Sequence, residues 1–278
     1  MNKWILGARP RTLPAAITPV VVAVALAYPK FDFVNALLAL IVGLALQIAV
    51  NYANDYSDGI KGTDEVRVGP IRLVASGLAS AAEVKNAAFI AFAIGGAAGL
   101  ELALRTTLWF VVIGAAAIIA AWRYTGGKNP YGYRGLGEIF VFIFFGLVAT
   151  IGTYYGQTGQ VTIESITAAI SNGAVACALL AVNNIRDIET DTAVGKRTFA
   201  VRLGDTRARR FYMLLIFVAI LTAFTISVIS VLAIFPAMKL LNEIKFKKGR
   251  DLISVLGATG KFQLLLGGLL TIGALINF

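Results

Sequence analysis

Asn51-Tyr52-Ala53-Asn54-Asp55-Tyr56-Ser57-Asp58-Gly59-Ile60-Lys61-Gly62-Thr63-Asp64 closes a run of 21 uncharged residues, Phe33 to Ala53, and the rest of the chain is read from it. A near-copy returns as Asn183-Asn184-Ile185-Arg186-Asp187-Ile188-Glu189-Thr190-Asp191. Aligned without gaps, Asn54, Asp55 and Asp58 fall on Asn183, Asn184 and Asp187, so both copies read Asn-Asx-x-x-Asp at the end of an apolar stretch. Seven of the fifteen Asp and Glu lie between Asp55 and Glu65 or between Asp187 and Asp191. The carboxylates are concentrated at two points, and two such clusters facing each other would hold a divalent metal and a phosphorylated ligand.

Composition sets the surroundings of these motifs. With 58% hydrophobic and 14% charged residues and a mean hydropathy of +0.78, the chain is too apolar for a soluble domain of its length. Long Ala/Leu/Ile/Val runs, without the strict alternation of barrel strands, point to an all-α, polytopic membrane helix bundle. Cys177 is the single cysteine and histidine is absent, which excludes intramolecular disulfides, zinc and haem sites and histidine acid–base catalysis. Chemistry must rest on Asp, Asn, Tyr, Lys and Arg. The net charge of +10 reads as loop charge and attraction to anionic lipid, not as a nucleic-acid footprint.

Candidate spans are Leu13 to Tyr28, Phe33 to Ala53, Ala87 to Leu104, Thr106 to Trp122, Ile139 to Tyr155, Ile166 to Ile185, Phe211 to Met238 and Phe262 to Asn277. Residues 1–12 carry no small-residue cleavage site, so the first span is read as retained. Basic residues gather in Met1 to Thr12, Lys61 to Arg72, Arg123 to Arg134, Arg186 to Arg210 and Lys239 to Arg250. The positive-inside rule places all of these on the cytoplasmic side. That alternation works only if Phe211 to Met238 crosses twice, turning near Ser227 to Ser230, which gives nine transmembrane helices; one long tilted helix would give eight. Both acidic motifs then lie at the cytoplasmic ends of the second and sixth spans. Their spacing reads as one domain, 1–278, with four-helix halves at about 13–123 and 137–238 and a final helix at 262–277.

Asn51, Asn54, Asp55 and Asp58 stand at i, i+3, i+4 and i+7, one helical face; Asn183, Asp187 and Asp191 stand at i, i+4 and i+8. Oxygen ligands without imidazole or thiolate suit Mg²⁺, with phosphate oxygens completing its shell. The plainer reading is that these residues cap helix ends. Around them Lys61, Arg67, Arg72, Lys196 and Arg197, with Lys128 and Arg134 in the intervening loop, are candidates to neutralise phosphate oxygens. As single residues they also read as topological charge.

At these residues the chain resembles the UbiA superfamily of membrane prenyltransferases, and within it the 1,4-dihydroxy-2-naphthoate polyprenyltransferase branch of menaquinone synthesis, often called MenA. The likeness is carried by Arg9-Pro10-Arg11-Thr12-Leu13-Pro14, Asn54-Asp55-Tyr56-Ser57-Asp58, Gly62-Thr63-Asp64, Gly69-Pro70-Ile71-Arg72-Leu73-Val74, Pro130 to Glu138, Gly152-Thr153-Tyr154-Tyr155, Gly195-Lys196-Arg197-Thr198 and Val201-Arg202-Leu203-Gly204. Gly62 stands where the hydroxybenzoate branch places its third acid, and Asp64 follows as in the naphthoate branch. Phe211 to Met238 is shorter than the family's seventh and eighth helices.

The resemblance implies a UbiA-type fold in the cell membrane and Mg²⁺-dependent transfer of a polyprenyl group from its diphosphate to dihydroxynaphthoate, with loss of CO₂ and diphosphate. It makes Asp58, Asp187 and Asp191 the catalytic acids and adds Asn54 and Asp55 as metal ligands. Asn51, Lys61, Arg67, Arg72, Asn183, Lys196 and Arg197 would bind diphosphate. Asp64, Lys128, Arg134 and Tyr154 would serve acceptor or diphosphate. No obligate protein partner is implied. The nearest alternative is a UbiA-type prenyltransferase acting on another aromatic acceptor, and two other classes share single features with the chain. Asp55-x-x-Asp58-Gly59 opens like the CDP-alcohol phosphatidyltransferase motif, but the Ala-Arg that should follow is absent. An ion-coupled transporter would carry charges mid-span, and here the acids lie at span ends.

Overall fold

Residues 2–63, 69 and 71–276 are described by a computed structural model, and among them no strand occurs. In chain order the helices are α1 (Lys3–Ala8), α2 (Pro14–Leu26), α3 (Phe33–Ile60), α4 (Ala81–Arg105), α5 (Trp109–Arg123) and α6 (Gly137–Val141). A seven-residue π-helical stretch, Phe142–Val148, joins α6 to α7 (Ala149–Thr158). Then follow α8 (Ile163–Arg186), α9 (Ile188–Ala193), α10 (Phe199–Leu203), α11 (Asp205–Phe224), α12 (Ile234–Phe246) and α13 (Leu252–Ile276).

Short polar side chains start the long helices. Asp32 accepts from the Asn35 amide at the head of α3, Ser80 and Glu83 form a reciprocal capping box on α4, and Thr162 and Ser165 do the same for α8. Among the described residues five helical segments are long and apolar enough to cross a membrane: Phe33–Ile60, Ala81–Arg105, Gly137–Thr158, Ile163–Arg186 and Gly249–Ile276. Pro14–Leu26 and Trp109–Arg123 are shorter apolar helices. Large side chains such as Leu104, Trp109 and Phe235 stay exposed on the outside, as a lipid-facing surface requires.

Inside, the bundle is packed with small residues. Ala, Gly and Ser on α2 and α8 let backbones approach, which substitutes for the hydrophobic drive that lipid does not supply. At Gly146, in the π-helical stretch, a Cβ would stand 2.6 Å from the Gly173 Cα of α8, so this crossing tolerates glycine alone. α3 packs along α4, α8 along α11, and α13 lies against both α2 and α8.

Several helix bounds differ from the sequence expectation. The second span does not stop at Ala53; α3 continues through the motif to Ile60, where Asn51, Asn54, Asp55 and Asp58 each find a protein partner. Phe211 to Met238 is too narrow at both ends, since Asp205–Arg210 and Lys239–Phe246 are also helical. Within it the chain breaks after Phe224 and reverses through Val228–Ala233. α11 and α12 are antiparallel, for the Arg209 guanidinium near the start of α11 donates to the Ile244 and Lys247 carbonyls at the end of α12. The last helix begins at Leu252, ten residues before the expected Phe262, and accommodates Lys261 on an exposed face.

Candidate active site at the ends of α3 and α8

Asp58, on the last turn of α3, is buried and gathers partners from three directions. The Tyr133 hydroxyl donates to it at 2.5 Å, the Lys196 ammonium lies at 3.3 Å and the Arg72 guanidinium at 4.0 Å. Lys196 belongs to the turn after the second motif, where its amide donates to the Asp191 carbonyl at 2.8 Å. Gly195 supplies the positive φ of 75° which that turn needs. The neighbouring Arg197 amide donates to the Tyr133 carbonyl at 2.9 Å. The two sequence motifs, remote along the chain, are thus tied together through Lys196 and Tyr133.

Tyr133 also carries a cation on its ring from each motif, with Lys61 Nζ 4.9 Å and Lys196 Nζ 4.7 Å from the centroid. Lys61 further donates to the Thr125 carbonyl at 2.5 Å. Partial desolvation lowers the pKa of the largely exposed Lys61 ammonium from the usual lysine value; Asp58 opposes this and Lys196 adds to it. Arg72, Arg186 and Lys196 are all buried, a rare placement for cations. Such a concentration of positive charge beside two buried aspartates matches an anion with several negative oxygens.

In the second motif the helix breaks at Asp187, so Asn183, Asp187 and Asp191 do not form the continuous i, i+4, i+8 column expected from their spacing. The break has a purpose in the geometry. Arg186 folds back and grips Asp187 with both fork atoms, Nε to Oδ1 at 2.7 Å and Nη2 to Oδ2 at 2.6 Å, while Nη2 also reaches Asn183 Oδ1 at 2.9 Å. Arg186 Nη1 is buried with no hydrogen-bond partner among the described residues. Asn184 turns the other way and donates to Glu138 at 3.0 Å.

Four expected ligands have other occupations. Both Asp55 oxygens accept backbone amides, Leu73 at 2.9 Å and Val74 at 3.1 Å, which anchors the 71–77 turn. Asn54 accepts from the Thr125 hydroxyl at 2.9 Å, within the wall of the site. Asn51 donates to the Ala8 carbonyl and the Thr12 hydroxyl and accepts from Arg9, which clamps the N-terminal segment onto α3. Tyr154 lies in the apolar core of α7, next to Gly156, whose carbonyl accepts from Asn35 at the opposite end of α3. Seventeen residues of helix separate it from Gly137, or ~25 Å of rise, so it does not reach Asp58.

The Arg197 side chain is exposed although its backbone is engaged, and Lys128 and Arg134 are exposed in the loop between α5 and α6. Asp64 and Arg67 lie outside the described residues. Tyr133, Arg186 and Glu138 are the residues that sequence reasoning passed over. Each sits inside or beside a quoted motif, but their inward direction is set by tertiary folding.

The sequence profile of the UbiA prenyltransferase family matches residues 16–251. The chain belongs to the UbiA prenyltransferase family. A 1,4-dihydroxy-2-naphthoate octaprenyltransferase of Mycobacterium tuberculosis is 47% identical, over 98% of this chain and 96% of its own length. A protein of the same description from Escherichia coli is 41% identical, over 77% of this chain and 72% of its own length. Among solved structures, a UbiA homolog from Archaeoglobus fulgidus bound to GPP and Mg²⁺ has a TM-score of 0.73 over 99% of this chain and 100% of that one. Its identity is 16%, so that likeness is one of fold. As a UbiA family member the chain is a multi-pass membrane prenyltransferase.

The residues present fit a hard divalent cation of the kind that shares its shell with substrate. Among the described residues no three His, Cys, Asp or Glu side chains form a cage. Mg²⁺ does not need one, since it usually takes one or two carboxylates and completes its octahedron with water and phosphate oxygens. Asp58, Asp187 and Asp191 supply only oxygen, and each buried acid has a cation at hand that can turn to phosphate instead.

Proposed function

We propose that this protein transfers a polyprenyl group from polyprenyl diphosphate to 1,4-dihydroxy-2-naphthoate, releasing diphosphate and CO₂. The observation that carries the reading is the junction of the two motifs: Asp58 of α3, held 3.3 Å from Lys196 beyond α8, within a nest of buried Arg and Lys. The relatives at 41–47% identity carry the matching description over most of the chain. Asp58, Asp187 and Asp191 would hold Mg²⁺, which when bound would offset the charge growing on the departing diphosphate. Lys61, Arg72, Arg186 and Lys196 bind the diphosphate oxygens and stabilise them as the allylic C–O bond breaks. Asn183 orients Arg186. Lys128, Arg134 and Arg197, exposed at the same end, draw in the anionic donor and the naphthoate carboxylate.

The chain acts as one domain in the cell membrane, with two four-helix halves and a ninth helix. The N-terminus and both motifs face the cytoplasm, and α11 and α12 each cross. The partners are polyprenyl diphosphate, dihydroxynaphthoate and lipid; nucleic acid has no place. Asp58→Asn and Asp187→Asn test the reading. Each should lower turnover by two orders of magnitude or more when assayed well below the variant's own thermal midpoint, which loss of a buried ion pair will lower, and chelator should abolish wild-type turnover until Mg²⁺ is restored. Near wild-type rates in both variants, or turnover in excess chelator, would refute it.

A further inference from the structure

Glu138 stands on the first turn of α6, 6% exposed, at the same end of the bundle as Asp58. One carboxyl oxygen, Oε1, accepts from Asn184 at 3.0 Å. The other, Oε2, is buried and has no hydrogen-bond partner among the described residues. A buried carboxyl oxygen without a donor is costly, and its presence calls for a ligand that supplies one. What surrounds Glu138 is aromatic. The Tyr124 ring lies against Gly137, where a Cβ would meet a ring carbon at 3.2 Å and the hydroxyl at 3.6 Å. Tyr124 packs edge-on to Tyr131 at 5.5 Å, and Tyr131 stacks on Phe140 at 4.0 Å.

Asn184 connects Glu138 to the second motif, three residues before Asp187. Tyr124 links it to both motifs: burial first, then the charges of Glu138, Tyr131, Asp58 and Asp191, push its hydroxyl well above the phenol range. The groups facing Glu138 are therefore Tyr124 at the end of α5, with Tyr131 packed behind it, and Asn184 and Cys177 on α8; the Cys177 thiol donates to the Glu138 carbonyl at 3.1 Å. As neutral phenol, amide and thiol, these groups are weaker proton acceptors than a carboxylate.

We propose that Glu138 binds a ring hydroxyl of the aromatic acceptor through Oε2 and takes its proton as the new carbon–carbon bond forms. The role rests on the prenyl-transfer reading above. In that step the hydroxyl O–H pair flows into the ring, and the ring carbon bearing the carboxylate bonds to the allylic carbon. The allylic C–O bond breaks with its electron pair going to diphosphate. The bond to the carboxylate then breaks, CO₂ leaves, its electron pair restores the aromatic ring, and the ring oxygen recovers the proton from Glu138. Proton and charge balance without a further reactant.

Glu138→Gln keeps the size of the side chain and an oxygen for Asn184 but abolishes the base. The expected result is a fall in kcat of at least a hundredfold, with the KM for prenyl diphosphate within twofold and the thermal midpoint unchanged. The acidic limb of kcat/KM for the naphthoate should disappear in Glu138→Gln and return in part with Glu138→Asp. Wild-type enzyme run alongside separates the two claims. Absence of product in the wild type refutes prenyl transfer and this role with it. Product from an unimpaired Glu138→Gln refutes the role alone, and so does a slowed variant that keeps its acidic limb or loses its fold.

Discussion

Replacing Asp55 by Asn distinguishes an anchor from a metal ligand, two roles that its position in the motif does not separate. Its two oxygens accept the Leu73 and Val74 amides at 2.9 and 3.1 Å, and the residue is 0% exposed. An Asn amide retains one acceptor and turns a donor toward the second backbone N–H. A hydrogen bond to a charged group contributes about 1.5–3 kcal/mol, and a buried amide left unpaired costs about 1–3 kcal/mol more. Asp55→Asn should therefore destabilise the protein by roughly 2–4 kcal/mol, and Asp55→Ala by somewhat more. At ~2–4 °C per kcal/mol for chains of this size, the midpoint of the detergent-purified variant should fall by about 5–15 °C. Turnover measured well below that midpoint should respond to added Mg²⁺ as the wild type does. An unchanged midpoint together with a tenfold greater Mg²⁺ requirement would return Asp55 to the metal shell and refute the anchoring argument.

Lys61 gives a pH dependence whose sign follows from its surroundings. Because partial desolvation lowers its pKa, the ammonium is lost at lower pH than an ordinary lysine, and the KM for prenyl diphosphate should rise on the alkaline side. Lys61→Arg should flatten that rise; identical alkaline profiles would remove Lys61 from the diphosphate site. For topology, cysteines at Lys128 and Lys248 should be labelled from the cytoplasmic side and one at Gln160 from the other, with buried Cys177 silent. Labelling Lys248 with Gln160 would contradict the double crossing of α11 and α12.

The class of fold was legible because lipid imposes its own arithmetic: uncharged runs of about 20 residues and basic segments between them fix an all-helical bundle. The break near Ser227 could be placed because one crossing left the basic segments on the wrong sides. Helix ends were less legible, since α3 runs on to Ile60 through polar residues whose partners come from distant segments. The same reason explains the site. Asp58 stood out by motif spacing and Lys196 by its place beside Gly195 after the second motif, but Asp55 shares a helical face with Asp58 and differs only in what packs against it, the 71–77 turn. Arg186 read as one more topological charge until the bend at Asp187 aimed it inward. Tyr154 belonged to a matched stretch, yet helix rise carries it to the other end of the bundle. Glu138 has no pattern of its own; its open oxygen appears only once α6 is set against α8.

The central claim is prenyl transfer to a naphthoate, and product analysis tests it directly. Purified protein is incubated with Mg²⁺, an allylic diphosphate and an equimolar mixture of 1,4-dihydroxy-2-naphthoate and 4-hydroxybenzoate, the latter labelled to shift its mass. The account predicts a lipid-soluble product with the mass of a prenylated dihydroxynaphthalene lacking the carboxyl group, and one CO₂ released per product. A prenylated hydroxybenzoate that keeps its carboxyl group, or no prenylated product at all, would contradict it.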